Sequence, residues 1–153
     1  MKKLIVCMLA IFTVFLAASC KKEKEDAVNP AEAFVGTYDV NATLHFGQYG
    51  DYQVPSSQEV TISLNGDEGD VIVAVPNLMI EVSGHATEDG LTVEPISIPF
   101  TVPDNVPLVG GQPVTFTATF PLIQKPENGT SEFTVNLQAS VFAATADVVA
   151  TKR

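Results

Sequence analysis

The stretch Val114-Thr115-Phe116-Thr117-Ala118-Thr119-Phe120-Pro121-Leu122 carries an apolar residue at every second position, with threonine at the first three positions between them. The stretch from Phe133 to Val141 repeats this pattern beyond the turn sequence Pro126-Glu127-Asn128-Gly129. A period of two is typical of half-buried β-strands, because successive side chains point to opposite faces of a sheet. The two stretches therefore predict an antiparallel hairpin with one apolar face.

The same alternation occurs over most of the chain before this hairpin. It is clearest from Tyr38 to Phe46 and returns from Val60 to Leu64. Further strands are predicted at 71–75, 78–86, 91–102 and 144–151, which makes about eight in all. No helical pattern is long enough for a parallel crossover. We therefore predict an all-β fold in which residues 34–153 form one domain, an antiparallel up-and-down meander of calycin-like barrel shape, with a two-sheet β-sandwich as the alternative.

Proline, asparagine and glycine mark the breaks in this pattern. Pro95 and Pro99 interrupt 91–102 and predict an edge or bulged strand there, because proline cannot donate to a ladder. Asn29-Pro30-Ala31-Glu32 predicts a helix of one or two turns, capped by the asparagine. The sequence from Asn65 to Asp70 predicts a hairpin turn. Its oxygen-rich side chains are also of the kind that Ca²⁺ prefers, so a calcium site stays an alternative for that turn.

The start of the chain reads as an export signal. Lys2 and Lys3 precede an uncharged apolar run from Leu4 to Ala18, and residues 1–19 are predicted to be a signal peptide. The run ends in Leu16-Ala17-Ala18-Ser19-Cys20, which resembles the lipobox at which bacterial lipoproteins are lipidated on the cysteine and cleaved before it. The resemblance implies that Cys20 is the lipidated first residue of the mature protein. An ordinary signal peptide with an incidental cysteine is the alternative.

Residues 20–33 are predicted to be the lipidated cysteine and a charged tether. Six consecutive charges, from Lys21 to Asp26, follow the cysteine. This segment resembles the acidic segments that direct lipoproteins of the Bacteroidota to the outer leaflet. The resemblance implies a cell-envelope, outer-membrane lipoprotein exposed on the cell surface, held to the membrane by its lipid anchor. A solvated tether that leaves the domain on the periplasmic face is the alternative.

Charge excludes one class of partner and disfavours another. After removal of residues 1–19 the chain has six basic and 18 acidic residues, a net charge of −12, and no Lys or Arg occurs between Glu25 and Gln124. Nucleic-acid binding requires clustered cations to replace phosphate counterions, so it is excluded. Docking of the domain itself on anionic lipid is disfavoured for the same reason.

The two cysteines are Cys7, inside the signal peptide, and Cys20. If Cys20 carries lipid, the mature domain has neither a thiol nor a disulfide, although it is exported. Its stability must then come from the burial of a hydrophobic core, which a segment of this length can provide as a single domain.

Motifs for catalysis or metal binding are few. His45 and His85 are the only histidines, and no cluster of Cys and His exists, so no metal site is predicted. No Gly-x-Ser-x-Gly or P-loop sequence occurs, and most acidic residues stand singly at turns. We predict neither enzymatic activity nor a cofactor. The alternative is an uncharacterised hydrolase whose catalytic residues are distant in sequence and come together in the fold.

The barrel interior supplies the candidate ligand site. An eight-stranded barrel is near the size at which side chains either fill the interior or leave room for one small molecule. The small Ala42, Ala118 and Ala139 would leave space, whereas the phenylalanines would fill it. Two hypotheses follow: a binding module for a small apolar ligand, or a filled interaction protein whose threonine-rich outer faces meet glycan or protein partners. The candidate ligand-binding residues are Tyr38, Val40, Leu44, Phe116, Phe120, Phe133, Val135 and Leu137.

Four short sequences carry a family resemblance. They are Val35-Gly36-Thr37-Tyr38, the stretch from Val54 to Ile62, Val75-Pro76-Asn77-Leu78, and the alternating Phe and Thr around Phe116. Their order is similar to that in the calycin-like (lipocalin-like) small lipoproteins of Bacteroides and relatives, over most of residues 34–153. The resemblance implies a calycin-type barrel. The ligands of the family's members are largely undefined, so it implies little about function.

Overall fold

The computed structural model describes residues 28–108, 110–140 and 142–153. The predicted signal peptide, Cys20 and the charged segment behind it lie outside these residues. Within the described ranges, no helix has both the length and the apolar character needed to span a membrane.

Ten strands occur in the described residues, and all belong to one antiparallel sheet. Their order across the sheet is β6-β5-β4-β3-β1-β10-β9-β8-β7, with β2 paired to β1 beside β3. The strands are β1 Gly36–His45, β2 Asp51–Gln53, β3 Gln58–Leu64, β4 Asp70–Val75, β5 Ile80–Ala86, β6 Leu91–Val93, β7 Ile96–Thr101, β8 Pro113–Thr119, β9 Thr130–Gln138 and β10 Ala143–Lys152.

The sheet is a meander whose first and last strands meet in the middle. β1 pairs with β10 over eight residue pairs, from Tyr38 opposite Lys152 to His45 opposite Thr145. On either side the neighbours follow in chain order, and the sheet curls into a half-barrel. The predicted all-β antiparallel meander is confirmed, and the two-sheet sandwich is not what the described chain forms.

The predicted strand 91–102 exists as two pieces that pair with opposite ends of the sheet. β6 pairs with β5, while β7 pairs with β8, and the change of partner occurs at Pro95. The last bond to β5 runs from the amide nitrogen of Glu94 to the carbonyl oxygen of Ser83, at 3.0 Å. Proline fixes its own φ and restricts the residue before it, which ends the ladder at this point. Both pieces are therefore edge strands, as the prolines predict.

A two-bond bridge closes one end of the half-barrel. The amide nitrogen of Leu91 donates to the carbonyl oxygen of Ile123 at 2.8 Å, and that of Ile123 donates to Leu91 at 2.9 Å. Ile123 lies four residues beyond the end of β8, so the bridge joins the edge strand β6 to the segment that follows β8. β6 covers only the Gly84–Ala86 end of β5, and within the described residues no backbone pairing joins the rest of β5 to β7. The half-barrel is therefore closed at one end and open along a seam between β5 and β7.

The short helix Pro30–Ala33 is a single 3-10 turn packed against the closed end. The Asn29 side-chain oxygen accepts from the amide of Ala31 at 3.0 Å, as a cap, and from the amide of Gly69 at 3.0 Å. One side-chain oxygen thus accepts hydrogen bonds from backbone amides at the start of the helix and in the turn between β3 and β4. Ala31 is buried, so packing begins a few residues before Phe34, within the stretch assigned to the tether.

Two hydrophobic clusters form the core, one at each end of the half-barrel. The closed-end cluster surrounds Phe34, Val71 and Leu91. The other surrounds Phe116, whose ring lies edge-on to Phe142 with centroids 5.4 Å apart. The half-buried rings of Phe120 and Phe133 pack against both clusters, so the interior between the two ends is bounded by aromatic side chains.

Candidate ligand cavity

A cavity of about 360 Å³ lies inside the half-barrel. Binding sites for small molecules commonly have volumes from about 300 to 1,000 Å³ and mostly apolar walls. The structure brings together all eight residues that the sequence nominates for ligand binding, and each lies on the cavity wall. These are Tyr38, Val40, Leu44, Phe116, Phe120, Phe133, Val135 and Leu137.

Small side chains on the two central strands create much of this space. Ala42 on β1 and Ala146 and Ala150 on β10 face the interior and lie on the wall. Ala42 stands opposite Val148 in the ladder, so this part of the wall has few bulky groups. Of the three alanines that the sequence nominates, Ala42 and Ala118 line the cavity and Ala139 lies in the hydrophobic cluster around Phe116.

The remaining wall comes from strands that sequence reasoning did not nominate for the site. Val60, Ile62, Val73 and Val82, on β3 to β5, line the cavity and are only half-buried. The inward residues near the ends of β8 and β9, by contrast, are buried. Solvent therefore reaches the interior from the β3–β5 side. The alternation in β3 to β5 indicates which of their side chains face inward. It does not indicate that β5 and β7 stay unpaired along the seam.

The seam borders this exposed side of the cavity. Val82 on β5 and Ile96 and Ile98 on β7 flank the seam and belong to the wall. Leu78, at the turn between β4 and β5, is 40 % exposed and also lines the cavity. A molecule entering between β5 and β7 would meet apolar side chains on both sides.

The cavity wall contains three polar side chains, those of Tyr38, Gln58 and Ser131. The Tyr38 hydroxyl donates to a backbone carbonyl oxygen at 2.7 Å. The Gln58 amide nitrogen donates to one at 3.3 Å, and the Ser131 hydroxyl donates to one at 3.5 Å. Partial burial raises the pKa of the Tyr38 phenol above its usual value. The wall thus offers hydrophobic contact and hardly any hydrogen bonding.

The basic side chains of the described residues are Lys125, Lys152 and Arg153, and none lies on the cavity wall. Arg153 binds Asp39 and Glu59, with nitrogen–oxygen distances of 2.6 Å to each. Its hydrogen bonds to Asp39 hold the pKa of that carboxyl below its usual value. Lys152 lies at the closed end, where its ammonium nitrogen is 6.0 Å from the centroid of the Tyr38 ring.

A hydrogen-bonded chain around His45 lies on the outer face, away from the cavity. The His45 ring nitrogens lie 2.7 Å from an Asp51 carboxylate oxygen and 2.8 Å from one of Asp147. Asp147 also accepts a bond of 2.7 Å from the Thr134 hydroxyl. These side chains join β2, β1, β10 and β9 across the sheet. The bonds to Asp51 and then Asp147 raise the pKa of His45 above its usual value, and those from Thr134 and His45 lower that of Asp147.

The raised pKa predicts that His45 stabilises the fold below its unfolded pKa, near 6.5, and that this contribution fades as pH rises through the folded pKa. Replacing His45 with glutamine should therefore lower Tm more at about pH 5.5 than at about pH 8. Thermal melts followed by circular dichroism at both pH values measure this difference. Asn41→Gln, on the same face of β1, should leave the pH profile unchanged. Equal losses of Tm at both pH values would contradict the prediction.

In the described part of the chain, no group of three or more His, Cys, Asp or Glu side chains is placed to hold a metal ion. The Nδ1 atom of His85 lies 2.6 Å from the Oδ1 atom of Asp70, at the base of the turn for which the sequence leaves a calcium site as an alternative.

Comparison with protein-family models, curated proteins and solved structures finds no match to this chain. The inference about function therefore rests on the cavity and the sequence.

Proposed function

We propose that this protein is a lipid-anchored protein of the cell envelope that binds a small apolar ligand inside its half-barrel. The observation that carries the proposal is the cavity of about 360 Å³ with its almost wholly apolar wall. Burial of apolar surface is worth about 25 cal/mol per Å², so leaving such a wall in contact with water is costly unless something occupies it. A bound hydrophobic molecule would recover that free energy.

The anchor is the second part of the proposal. Cys20 would carry the lipid, and the outer membrane would hold the domain through its tether, with the domain displayed on the cell surface. The support is the run of small residues directly before Cys20 and the charged segment behind it. The strongly acidic domain would stay off the anionic lipid surface.

The cavity is tested by filling it. Ala42→Phe adds a ring at a wall position on β1 and should abolish ligand binding, because the added volume occupies the space that the ligand needs. Native mass spectrometry of residues 21–153 after incubation with bacterial lipid extract measures binding as a stoichiometric adduct.

Thr43→Phe is the matched control, because Thr43 adjoins Ala42 but lies on the opposite face of the strand. It should keep the adduct. An unliganded mass for the wild-type chain with every extract would contradict ligand binding. That result would favour the alternative, a protein whose threonine-rich outer face meets glycan or protein partners.

The anchor is tested by removing the thiol. In a bacterial host that processes lipoproteins, Cys20→Ala should prevent lipidation and move the protein from the membrane fraction to the soluble fraction. Metabolic labelling with a palmitate analogue and cell fractionation measure the two effects. Cys7→Ala, inside the predicted signal peptide, should leave both unchanged. Labelling that persists in Cys20→Ala would refute the assignment of Cys20.

A further inference from the structure

The polar side chains described on the cavity wall already have partners for their hydrogen-bond donors. Each donates to a backbone carbonyl oxygen, as described above, and the Gln58 amide also lies 3.4 Å from the Ser56 hydroxyl oxygen. Among the described residues, no buried side-chain nitrogen or oxygen is left without a partner. A carboxylate taken into this space would give up its hydration and receive no hydrogen bond in return, which is costly.

Charge beside the seam acts in the same direction. No Lys or Arg occurs from Val28 to Gln124, so β1 to β8, including both strands that border the seam, carry no basic side chain. Two acidic residues stand beside the seam, Glu81 on β5 and Glu94 just before β7. The described residues carry 15 acidic and three basic side chains, a net charge of −12. An anionic head group held at the seam would be repelled rather than paired.

We infer that the cavity selects an uncharged hydrophobic molecule and discriminates against a carboxylate with the same hydrocarbon chain. This inference rests on the proposed function, and it names the ligand class for that site. Both molecules gain the same contact with the apolar wall. They differ in the head group, for which the wall supplies no cation and the seam supplies negative charge, whereas the ammonium group of Lys152 lies at the closed end.

The test compares dodecanol with dodecanoate by displacement of an environment-sensitive fluorescent probe from residues 21–153, at about pH 8 and low salt. We expect dodecanol to bind about tenfold more tightly or better. Added salt should reduce the difference in affinity between the two molecules, because it screens the repulsion between the carboxylate and the acidic residues. It should therefore strengthen the binding of dodecanoate and leave that of dodecanol unchanged.

A designed cation provides the matched variant. Gln58→Arg places a guanidinium at a half-buried wall position and should strengthen dodecanoate binding while leaving dodecanol binding nearly unchanged. Gln53→Arg is the control, because it makes the same substitution on β2 at an exposed position that is not on the wall. Gln53→Arg should leave the preference for dodecanol over dodecanoate unchanged. Circular dichroism of both variants checks that they fold.

The outcomes separate the inference from the proposed function. Dodecanoate that binds the wild-type chain as tightly as dodecanol would overturn the inference and leave the apolar binding site standing. Failure of both molecules, and of the probe, to bind would overturn the proposed function and the inference with it. These results come from the wild-type chain, so they do not depend on the folding of a variant.

Discussion

Replacing Phe116 with alanine should lower the free energy of unfolding by about 3–5 kcal/mol, the range typical of a fully buried phenylalanine. Phe116 is 2 % exposed. Its ring centroid lies 5.4 Å from that of Phe142 and 6.0 Å from that of Phe100. Truncation removes the ring that packs against Phe100 on β7 and against Phe142 between β9 and β10, and these contacts are lost along with the buried area. Urea unfolding followed by circular dichroism measures the loss.

The adjacent residue supplies the control for this substitution. Thr117 is exposed on the opposite face of β8, so Thr117→Ala should change the free energy of unfolding by no more than about 0.5 kcal/mol. A loss below about 1 kcal/mol for Phe116→Ala would mean that the aromatic cluster does not support the fold as described.

Replacing Gly90 with alanine should destabilise the protein by about 2–4 kcal/mol, through backbone strain and the loss of hydrogen bonds. Gly90 has a φ of 153°, which side chains rarely permit. A Cβ atom there would lie 2.6 Å from the carbonyl oxygen of Ile123. That oxygen accepts the bond from Leu91, so relief of the clash would pull apart the bridge at the closed end.

Gly66→Ala is the matched control because it isolates the conformational cost. Gly66 has a φ of 78°, but a Cβ atom there meets no heavy atom within 4 Å. Its substitution should cost about 1 kcal/mol. Equal losses for the two variants, again from urea unfolding, would show that the bridge between Leu91 and Ile123 contributes little.

Alternation alone was enough to predict the fold class and the inward-facing residues. The ladder between β9 and β10 pairs Val135 with Ala146 and Leu137 with Ala144, so apolar residues meet on one face as a period of two requires. Pro95 likewise indicated an edge strand, because a proline cannot donate to a ladder wherever it lies in the fold. These features depend on neighbours in the chain, which is why sequence reasoning reaches them.

What the sequence could not predict depends on distant partners. β2 has three residues and too short a pattern to detect, and it forms only where β1 offers it an edge. The bridge between Leu91 and Ile123 joins residues that no local signal connects. Whether the interior stays open depended on the balance between alanines and phenylalanines. The pairing of β1 with β10, which places Ala42 opposite Val148 on the wall, is one part of that balance that composition does not show.

The pairing of the first strand with the last also constrains how the chain can fold. β1 and β10 are separated by most of the domain in sequence, yet they occupy the middle of the sheet. A ladder of such high contact order is expected to form slowly, since a long loop must close before its bonds are gained. A chain synthesised from its amino terminus therefore keeps the central strand β1 without its partner until β10 has been made. Deletion of β10 should prevent folding, because it removes a central strand and not an edge strand.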